Sequence, residues 1–265
     1  MSEKSAISWT RSTFNPWWGC TKVSPGCDFC YAERDSKRYG HDVWGSTAAR
    51  RFFSEKHWNE PLRWNKAAQD SGEYWPVFCA SMADHLEDRR DLDAERQRLY
   101  ALIERTPALT WLLLTKRPEN AEKLMPREWF SAWPAHVKFG ITAEDQERFD
   151  KRWLRAVDVP ADRWISYEPA IGPIAFGAAL PNFRWVIVGG ESHPSRDKAR
   201  PFDLAWARDT IEQCGKSSAP FVKQLGSNTV WNGSRVTFPS QKADKPDEWP
   251  ADLNVQVVPW ARRSA

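Results

Sequence analysis

Three cysteines lie close together near the start of the chain, in the stretch NPWWGCTKVSPGCDFCYAER. Cys20, Cys27 and Cys30 are spaced C-x6-C-x2-C, and Pro25 and Gly26 turn the chain just before the second cysteine. Thiolates bind zinc ions and iron–sulfur clusters. Three thiolates with no fourth in the same stretch suit a [4Fe-4S] cluster in which one iron is left open for a substrate or cofactor.

A structural zinc site is the alternative use of these thiolates. Such a site takes four ligands, typically from two C-x2-C pairs, and the second pair is missing here. The fourth ligand would have to be one of four more distant side chains, namely Cys79, Cys214, His41 or His57. Cys79 lies in an apolar run and Cys214 in a helical segment, so we expect both to be buried free thiols.

Length and composition limit the class of protein. The chain has 265 residues, 41% of them hydrophobic, which fits one large α/β domain, and its formal charge of +3 does not require a polyanionic partner. Five cysteines, three of them crowded together, predict a reducing compartment rather than a disulfide framework. The polar N-terminus and the lack of a long apolar window predict a soluble, cytoplasmic protein with no membrane partner.

Most of the chain repeats one pattern, in which a short apolar run ends abruptly in polar residues and a longer polar segment follows. Such runs occupy residues 76–85, 109–119, 136–145, 162–172, 183–192 and 219–226. Segments between them show apolar residues at helical spacing, at 91–106, 145–158 and 203–216. Strands that alternate with helices predict a parallel sheet.

A further strand near NPWWGC, ending at Trp17, Trp18 and Gly19, brings the sheet to at least seven strands. We therefore predict an α/β fold, a TIM-like full or partial (β/α) barrel with parallel strands, with the cysteine loop after the first strand. Residues 1–226 form this barrel, with 35–75 as a segment that covers its mouth. Residues 227–265 are expected to form a C-terminal arm packed on the barrel, frayed at its ARRSA end.

Polar side chains follow every predicted strand. They are Ser81, Asp84, Thr115, Lys116, Arg117, Thr142, Glu144, Ser166, Glu168, Glu191, Ser192, Lys223 and Gln224. Because the carboxyl ends of parallel strands meet at one edge, we expect these groups to share one polar mouth. Solvent exposure and helix capping would explain about half of them individually.

Tryptophan is the outlier in composition, with 17 residues. Those inside apolar runs are expected to pack in the core; they include Trp111, Trp164 and Trp185. Those in polar surroundings could stack on a planar ligand such as a base; they are Trp44, Trp58, Trp64 and Trp75.

Several motifs in fixed order carry a resemblance to a known family. The cysteine loop, together with LLLTKRPEN, SYEPAIGPI, WVIVGGES and PFVKQLG, resembles a phage radical-SAM-like family of uncharacterised phage and bacterial proteins. The likeness extends from residue 10 to about 226 and continues through DEWPADLNVQ. This family belongs to the radical S-adenosylmethionine superfamily, whose usual loop is C-x3-C-x2-C, so the first gap of this chain is longer than usual.

The resemblance implies a cofactor and a reaction. Cys20, Cys27 and Cys30 would each bind one iron of a [4Fe-4S] cluster, and S-adenosylmethionine would chelate the fourth iron through its amino and carboxylate groups. Reduction by a donor such as flavodoxin or ferredoxin would cleave the sulfonium and release a 5′-deoxyadenosyl radical, which abstracts hydrogen from a substrate. The protein would position these groups.

The resemblance also suggests roles for residues beyond the cysteines. The superfamily commonly binds the methionine amino group at the end of the second strand, where this chain has Ser81 and Asp84. The expected cofactor-binding residues are Ser81, Asp84, Thr142 and Glu144, and the expected substrate-binding residues are Lys116, Arg117, Glu168 and Glu191. A solvated helix start is the alternative for Lys116 and Arg117, which could otherwise bind a phosphate.

Two functions are open at this point. The first is a radical S-adenosylmethionine-type enzyme that acts on a nucleic-acid base or nucleotide, because the segment RRFFSEKHWNEPLRWNK combines basic and aromatic residues; a small-molecule or peptide substrate is also open. The second is a zinc- or cluster-stabilised nucleic-acid-binding protein without radical chemistry. No residue in the sequence identifies a catalytic hydrogen donor or acceptor.

Overall fold

A computed structural model describes residues 3–260 of the chain. Its strands are β1 (Ser12–Thr13), β2 (Pro76–Cys79), β3 (Thr110–Thr115), β4 (Val137–Thr142), β5 (Asp162–Tyr167), β6 (Trp185–Gly189), β7 (Phe202–Asp203), β8 (Ala219–Gln224), β9 (Thr229–Trp231) and β10 (Ser234–Val236). Each of the six apolar runs contains one strand of the main sheet, as predicted. These strands are buried, as strands covered on both faces must be.

The main sheet has seven strands in the order β1-β2-β3-β4-β5-β6-β8, and every neighbouring pair is parallel. It is curled into a half-barrel, so the prediction of a TIM-like barrel is confirmed in its partial form. A small second sheet, in the order β10-β9-β7, joins a hairpin to a short parallel strand.

Helices connect the parallel strands. They are α1 (Tyr31–Arg38), α2 (Glu55–Trp58), α3 (Glu60–Ser71), α4 (Asp93–Glu104), α5 (Ala121–Leu124), α6 (Arg127–Ser131), α7 (Gln146–Ala156) and α8 (Leu204–Cys214). Helices α4, α7 and α8 lie within the three segments predicted from apolar spacing. The side chains of Asp145 and Asp203 accept backbone N–H groups at the starts of α7 and α8, where a helix leaves such donors unpaired. No helix among residues 3–260 has the length and apolar character needed to cross a membrane.

The first strand ends earlier than the sequence suggested. The expectation that Trp17, Trp18 and Gly19 close this strand is wrong, because β1 stops at Thr13 and Trp18 pairs instead with Arg51 in an antiparallel bridge. The side chain of Asn15 accepts the backbone N–H of Met82 at 2.7 Å, in place of a backbone carbonyl. Pro16 follows and has no N–H to continue the ladder.

Segment 35–75 is built mainly into the barrel wall. Helix α3 is the crossover between β1 and β2, and Trp58, Trp64 and Trp75 are each only 3% exposed in the main core. These three rings are therefore core residues, and the expectation that they form a stacking surface is wrong. Trp44 differs from them, since it is partly exposed and lines the cavity described below.

Two apolar clusters pack on the two faces of the sheet. The larger one joins the strands to the helices. The smaller one contains no helical residue, so it lies on the concave face; its buried members are Trp9, Phe78, Leu112, Trp164, Trp185, Ile187 and Phe221. Large rings thus fill the half-barrel below its carboxyl edge, as side chains fill a closed barrel.

Gly140 of β4 makes room for one of these rings. A Cβ at this position would lie 2.2 Å from Trp164 Cε2, so we expect Gly140→Ala to lower the free energy of unfolding by about 2 kcal/mol through overpacking. Gly172→Ala is the matched control, because its Cβ would lie 3.5 Å from Asp145 Cβ, an ordinary contact. Urea unfolding of both variants makes the comparison, and equal losses would contradict the proposed crowding at Trp164.

The C-terminal segment packs on the barrel as an arm with a hairpin. Strands β9 and β10 form the hairpin, and the chain then returns to the open edge of β8, where Val222 N donates to Val255 O at 2.8 Å. Trp185 Nε1 also donates to Val257 O at 2.7 Å. The arm therefore covers part of the unpaired sheet edge. The predicted frayed end, residues 261–265, lies outside the described residues.

Candidate functional site

A cavity of about 410 Å³ opens at the carboxyl edge of the half-barrel. Cys20, Cys27 and Cys30 all line it. The strand-end residues that line it are Ser81, Asp84, Thr115, Lys116, Arg117, Thr142, Ser166, Glu168, Glu191, Ser192, Lys223 and Gln224. The expectation that polar strand ends share one mouth is therefore confirmed, and Glu144 is the one predicted residue that is not part of the lining.

The cysteine loop runs from β1 to α1. Cys27 is buried and closes a short turn that begins at Pro25, whereas Cys30 is partly exposed and immediately precedes α1. The backbone N–H groups of Ala32 and Glu33 act to lower the pKa of Cys30, although its side chain makes no capping hydrogen bond to the helix. The start of a helix favours a thiolate over a thiol, since its N–H groups and dipole stabilise negative charge.

Burial opposes ionisation of the Cys20 and Cys30 thiols in the protein without a bound metal. It raises the pKa of Cys20 to about 12, although the neighbouring guanidinium of Arg117 favours the thiolate. Burial also raises the pKa of Cys30. Both thiols thus hold their protons at neutral pH, and a metal centre that bound them would release those protons.

Two kinds of metal site could use these thiols, a single metal ion or an iron–sulfur cluster. Among residues 3–260, no group of three or more His, Cys, Asp or Glu side chains is arranged to hold one metal ion. In an iron–sulfur cluster, by contrast, each thiolate binds a different iron, so the sulfurs need not converge on one point. Three thiols on one loop, facing one cavity, fit a cluster of that kind.

The four candidates for a fourth zinc ligand lie elsewhere. Cys79 and Cys214 are fully buried free thiols in the main core, as predicted. The ring of His57 stacks on Phe14, and His41 packs beside a tryptophan. None of the four is part of the cavity lining among the described residues.

Asp84 and Arg117 form a buried ion pair that reaches the cysteine loop. Arg117 Nη1 lies 2.8 Å from Asp84 Oδ2 and 3.6 Å from Cys20 Sγ, and its Nη2 donates to Thr21 O at 2.6 Å. Burial raises the pKa of Asp84, but Arg117 together with His85 and the hydrogen bonds from Lys116 N and Thr115 outweighs it and leaves the pKa below its usual value. Asp84, which was expected to bind the cofactor, and Arg117, which was expected to bind the substrate, bind each other, and Arg117 also binds the loop.

Glu144 ties the middle of the loop to the barrel. Its carboxylate, fully buried, binds Lys116 at 2.9 Å, Arg152 at 2.5 Å and Ser24 Oγ at 2.7 Å. Burial opposes its ionisation, yet Lys116 and Arg152 lower its pKa to about 2. A Cβ on Gly26 would lie 2.4 Å from Glu144 Cγ, so the loop approaches closely here. Glu144 is therefore placed to support the loop from beneath.

A third acidic residue holds the loop from the far side. Glu191, which follows β6, forms an ion pair with Arg200 and accepts its backbone N–H at 3.0 Å. Arg200 Nη1 in turn donates to Pro25 O at 2.7 Å. The loop is thus fixed at Thr21 by Arg117, at Ser24 by Glu144 and at Pro25 by Arg200.

The remaining predicted residues form the wall of the cavity. Glu168, after β5, binds Lys223 at 2.8 Å and accepts from Ser166 Oγ at 3.3 Å. Ser81 Oγ accepts from an asparagine side chain, and Thr142 is buried at the end of β4. The side chains of Glu168, Ser81 and Thr142 line the cavity, and none of their described contacts is with a side chain of the cysteine loop.

Sequence reasoning missed several residues that hold the loop, namely Ser24, Tyr31, Arg50, Arg152 and Arg200. Arg50 is buried, pairs with Glu87 and donates to Thr21 Oγ1 at 3.1 Å. Tyr31 donates to Ser81 O at 2.9 Å. Ser24, Tyr31, Arg50 and Arg200 make these contacts with residues at least 29 positions away, and Arg152 acts through Glu144, so no local signal identifies them.

Fold and site together define a class, a parallel α/β half-barrel with a three-cysteine loop held over the carboxyl edge of its sheet. The family described as "Protein of unknown function (DUF5131)" matches residues 4–248, and the chain belongs to that family. No curated protein matches the sequence.

Proposed function

We propose that this protein is an iron–sulfur enzyme of the radical S-adenosylmethionine type. The observation that carries the proposal is that Cys20, Cys27 and Cys30 face one cavity at the carboxyl edge of a parallel half-barrel. Barrels of this kind bind ligands and carry out chemistry at that edge. The three thiolates would hold a [4Fe-4S] cluster, and the open iron would take S-adenosylmethionine, for which the cluster supplies the electron that cleaves the sulfonium.

The cavity suits a nucleoside-like cofactor. Its volume of about 410 Å³ falls within the usual range for small-molecule sites. Trp9, Phe78 and Leu114 give it an apolar wall that keeps water away and can receive a planar ring. Ser81 and Thr142 place hydroxyl groups in the same cavity, where they can accept or donate hydrogen bonds.

Ion pairs divide the predicted polar residues into two groups. Asp84, Arg117 and Glu144 support the loop, so their contribution to cofactor or substrate binding is to fix the thiols in place. Glu191 supports the loop in the same way through Arg200, whereas Glu168 pairs with Lys223 on the cavity wall and is better placed to meet a substrate. A rigid support of this kind lowers the ordering cost of assembling the site.

The rim of the cavity favours a nucleotide or nucleic-acid base as the substrate class. Phe29 and Tyr31 are partly exposed aromatic residues of the cavity lining, and the basic residues Lys22 and Arg34 line the same cavity. Stacking surfaces next to basic side chains suit unpaired bases and their phosphates. The five free cysteines agree with a reducing, cytoplasmic location, and the electron would come from a donor such as flavodoxin or ferredoxin.

Anaerobic reconstitution with iron and sulfide tests the proposal. We expect about four irons per chain and absorbance near 400 nm, the properties of a [4Fe-4S] protein. A colourless protein that takes up one zinc ion and no iron would overturn the proposal and favour a zinc-stabilised nucleic-acid-binding protein.

A further inference from the structure

We propose that Arg117 is a positioning residue that sets the reduction potential of the metal centre bound by the cysteine loop. This inference rests on the proposed function. Among residues 3–260, Arg117 is the one cation with a described hydrogen bond to a cysteine sulfur of the loop. Its Nη1 lies 3.6 Å from Cys20 Sγ. Its other nitrogen donates to Thr21 O at 2.6 Å, so the guanidinium holds both the thiol and the adjacent backbone.

The guanidinium has little freedom to move, because its anionic partner is itself fixed. Asp84 accepts the backbone N–H groups of Leu86 and Lys116, each at 3.0 Å, and the hydroxyl of Thr115 at 2.7 Å. Arg117 is 6% exposed, and its backbone N–H donates to Thr115 Oγ1 at 2.9 Å. The end of β3 thus determines where the positive charge lies relative to the sulfur.

A cation in this place acts on the redox equilibrium. Reduction of a cluster adds one negative charge, which N–H donors and positive charge at the ligating sulfurs stabilise. Arg117 therefore raises the reduction potential, whereas the carboxylate of Asp84, on the same guanidinium, lowers it. The two residues support the loop together but influence the potential in opposite directions.

Arg200 is a matched control for the loop support alone. Like Arg117, it pairs with a buried acid, Glu191, and donates to a loop carbonyl, Pro25 O at 2.7 Å. Its other described contacts are with the Asp28 carboxylate and the ring of Phe29 rather than with a cysteine sulfur. Loss of Arg200 should therefore weaken the loop without a direct effect on the potential.

Redox titration of the reconstituted protein, followed by electron paramagnetic resonance, tests the inference. For Arg117→Met we expect the one-electron equilibrium to move about tenfold toward the oxidised cluster, a potential about 59 mV more negative. Arg117→Lys should give a smaller shift of the same sign, since it keeps the charge but loses the planar fork. Asp84→Asn should shift the potential in the positive direction, and Arg200→Met should leave it unchanged.

The outcomes separate this inference from the proposed function. A wild-type protein that binds no cluster overturns both. A loaded protein in which Arg117→Met has the wild-type potential, or in which the Arg117 and Asp84 variants shift the potential in the same direction, overturns the positioning role alone. Should Arg117→Met fail to load, the opposite signs expected for Arg117→Lys and Asp84→Asn decide the question.

Discussion

Replacing any one of Cys20, Cys27 or Cys30 by alanine is expected to abolish stable cluster binding. Each thiolate would hold a different iron, so the loss of one leaves two protein ligands and a second open iron. Iron and sulfide content and the absorbance near 400 nm, measured after anaerobic reconstitution, should fall from about four irons per chain to a small residual fraction. This is the largest effect that the site geometry predicts.

Cys214→Ala is the control for the three loop variants. Cys214 is a fully buried free thiol in α8 and is not part of the cavity lining. We expect this variant to bind as much iron as the wild type, at a modest cost in stability. If Cys214→Ala lost iron as completely as Cys27→Ala, or if a loop variant kept all four irons, the assignment of the three ligands would be wrong.

Glu144→Gln is expected to lower the free energy of unfolding by about 3 kcal/mol at neutral pH. The substitution leaves the cations of Lys116 and Arg152 without their buried anion, and breaking such a pair by removing one partner typically costs about 3–5 kcal/mol. The lowering of the Glu144 pKa from 4.5 to about 2 gives the same order of magnitude, about 3 kcal/mol at about 1.36 kcal/mol per pKa unit. Denaturant unfolding of the two proteins at pH 7 measures the difference.

The pH dependence of this difference has a defined sign. Because the folded-state pKa of Glu144 is lowered, its stabilising contribution is fully present above the unfolded pKa of about 4.5 and disappears as the pH falls toward about 2. The gap between wild type and Glu144→Gln should therefore be largest near neutral pH and shrink below about pH 4.5. Glu147→Gln on the exposed face of α7 is the control and should change stability little. A gap that stays constant with pH, or an equal loss in the control, would contradict a buried ionised carboxylate at position 144.

Strand positions could be predicted from the sequence because a buried parallel strand has a strong local signal. The runs at residues 111–114 and 185–189 are apolar throughout and lead into polar residues, and the structure places β3 and β6 there. Whether the sheet closes into a full barrel cannot be predicted from a local sequence pattern. It depends on how many strands pair around the axis, and here the sheet stops after seven, with the concave face filled by rings such as Trp164.

The tryptophans of residues 58–75 show why local polarity can mislead. Trp58 and Trp64 have charged neighbours in the sequence, yet the helical geometry of α2 and α3 turns these rings to the core and their neighbours to solvent. Segment 35–75 therefore supplies a crossover helix as well as a part of the cavity rim. Apolar spacing within so short and polar a segment was too weak to indicate this.

The location of the candidate site could be predicted from the sequence, but the side-chain contacts within it could not. Polar residues after parallel strands must meet at one edge, so the shared cavity followed from the strand pattern. The partners of those residues did not follow, because Glu144 binds Ser24 from 120 positions earlier and Arg200 reaches back to Pro25. Ion pairs between distant residues leave no periodic signal, so the partners of Asp84, Arg117 and Glu144 could not be predicted from the sequence.

Detection of 5′-deoxyadenosine is the measurement that tests the proposed function most directly. The reconstituted wild-type protein would be incubated with dithionite and S-adenosylmethionine under anaerobic conditions, beside Cys27→Ala and Cys214→Ala, and the products separated by chromatography with mass detection. We predict that the wild type and Cys214→Ala form 5′-deoxyadenosine and that Cys27→Ala forms none. A wild-type protein that carries a full cluster, binds S-adenosylmethionine and yet forms no 5′-deoxyadenosine with any reductant would contradict the proposed reaction.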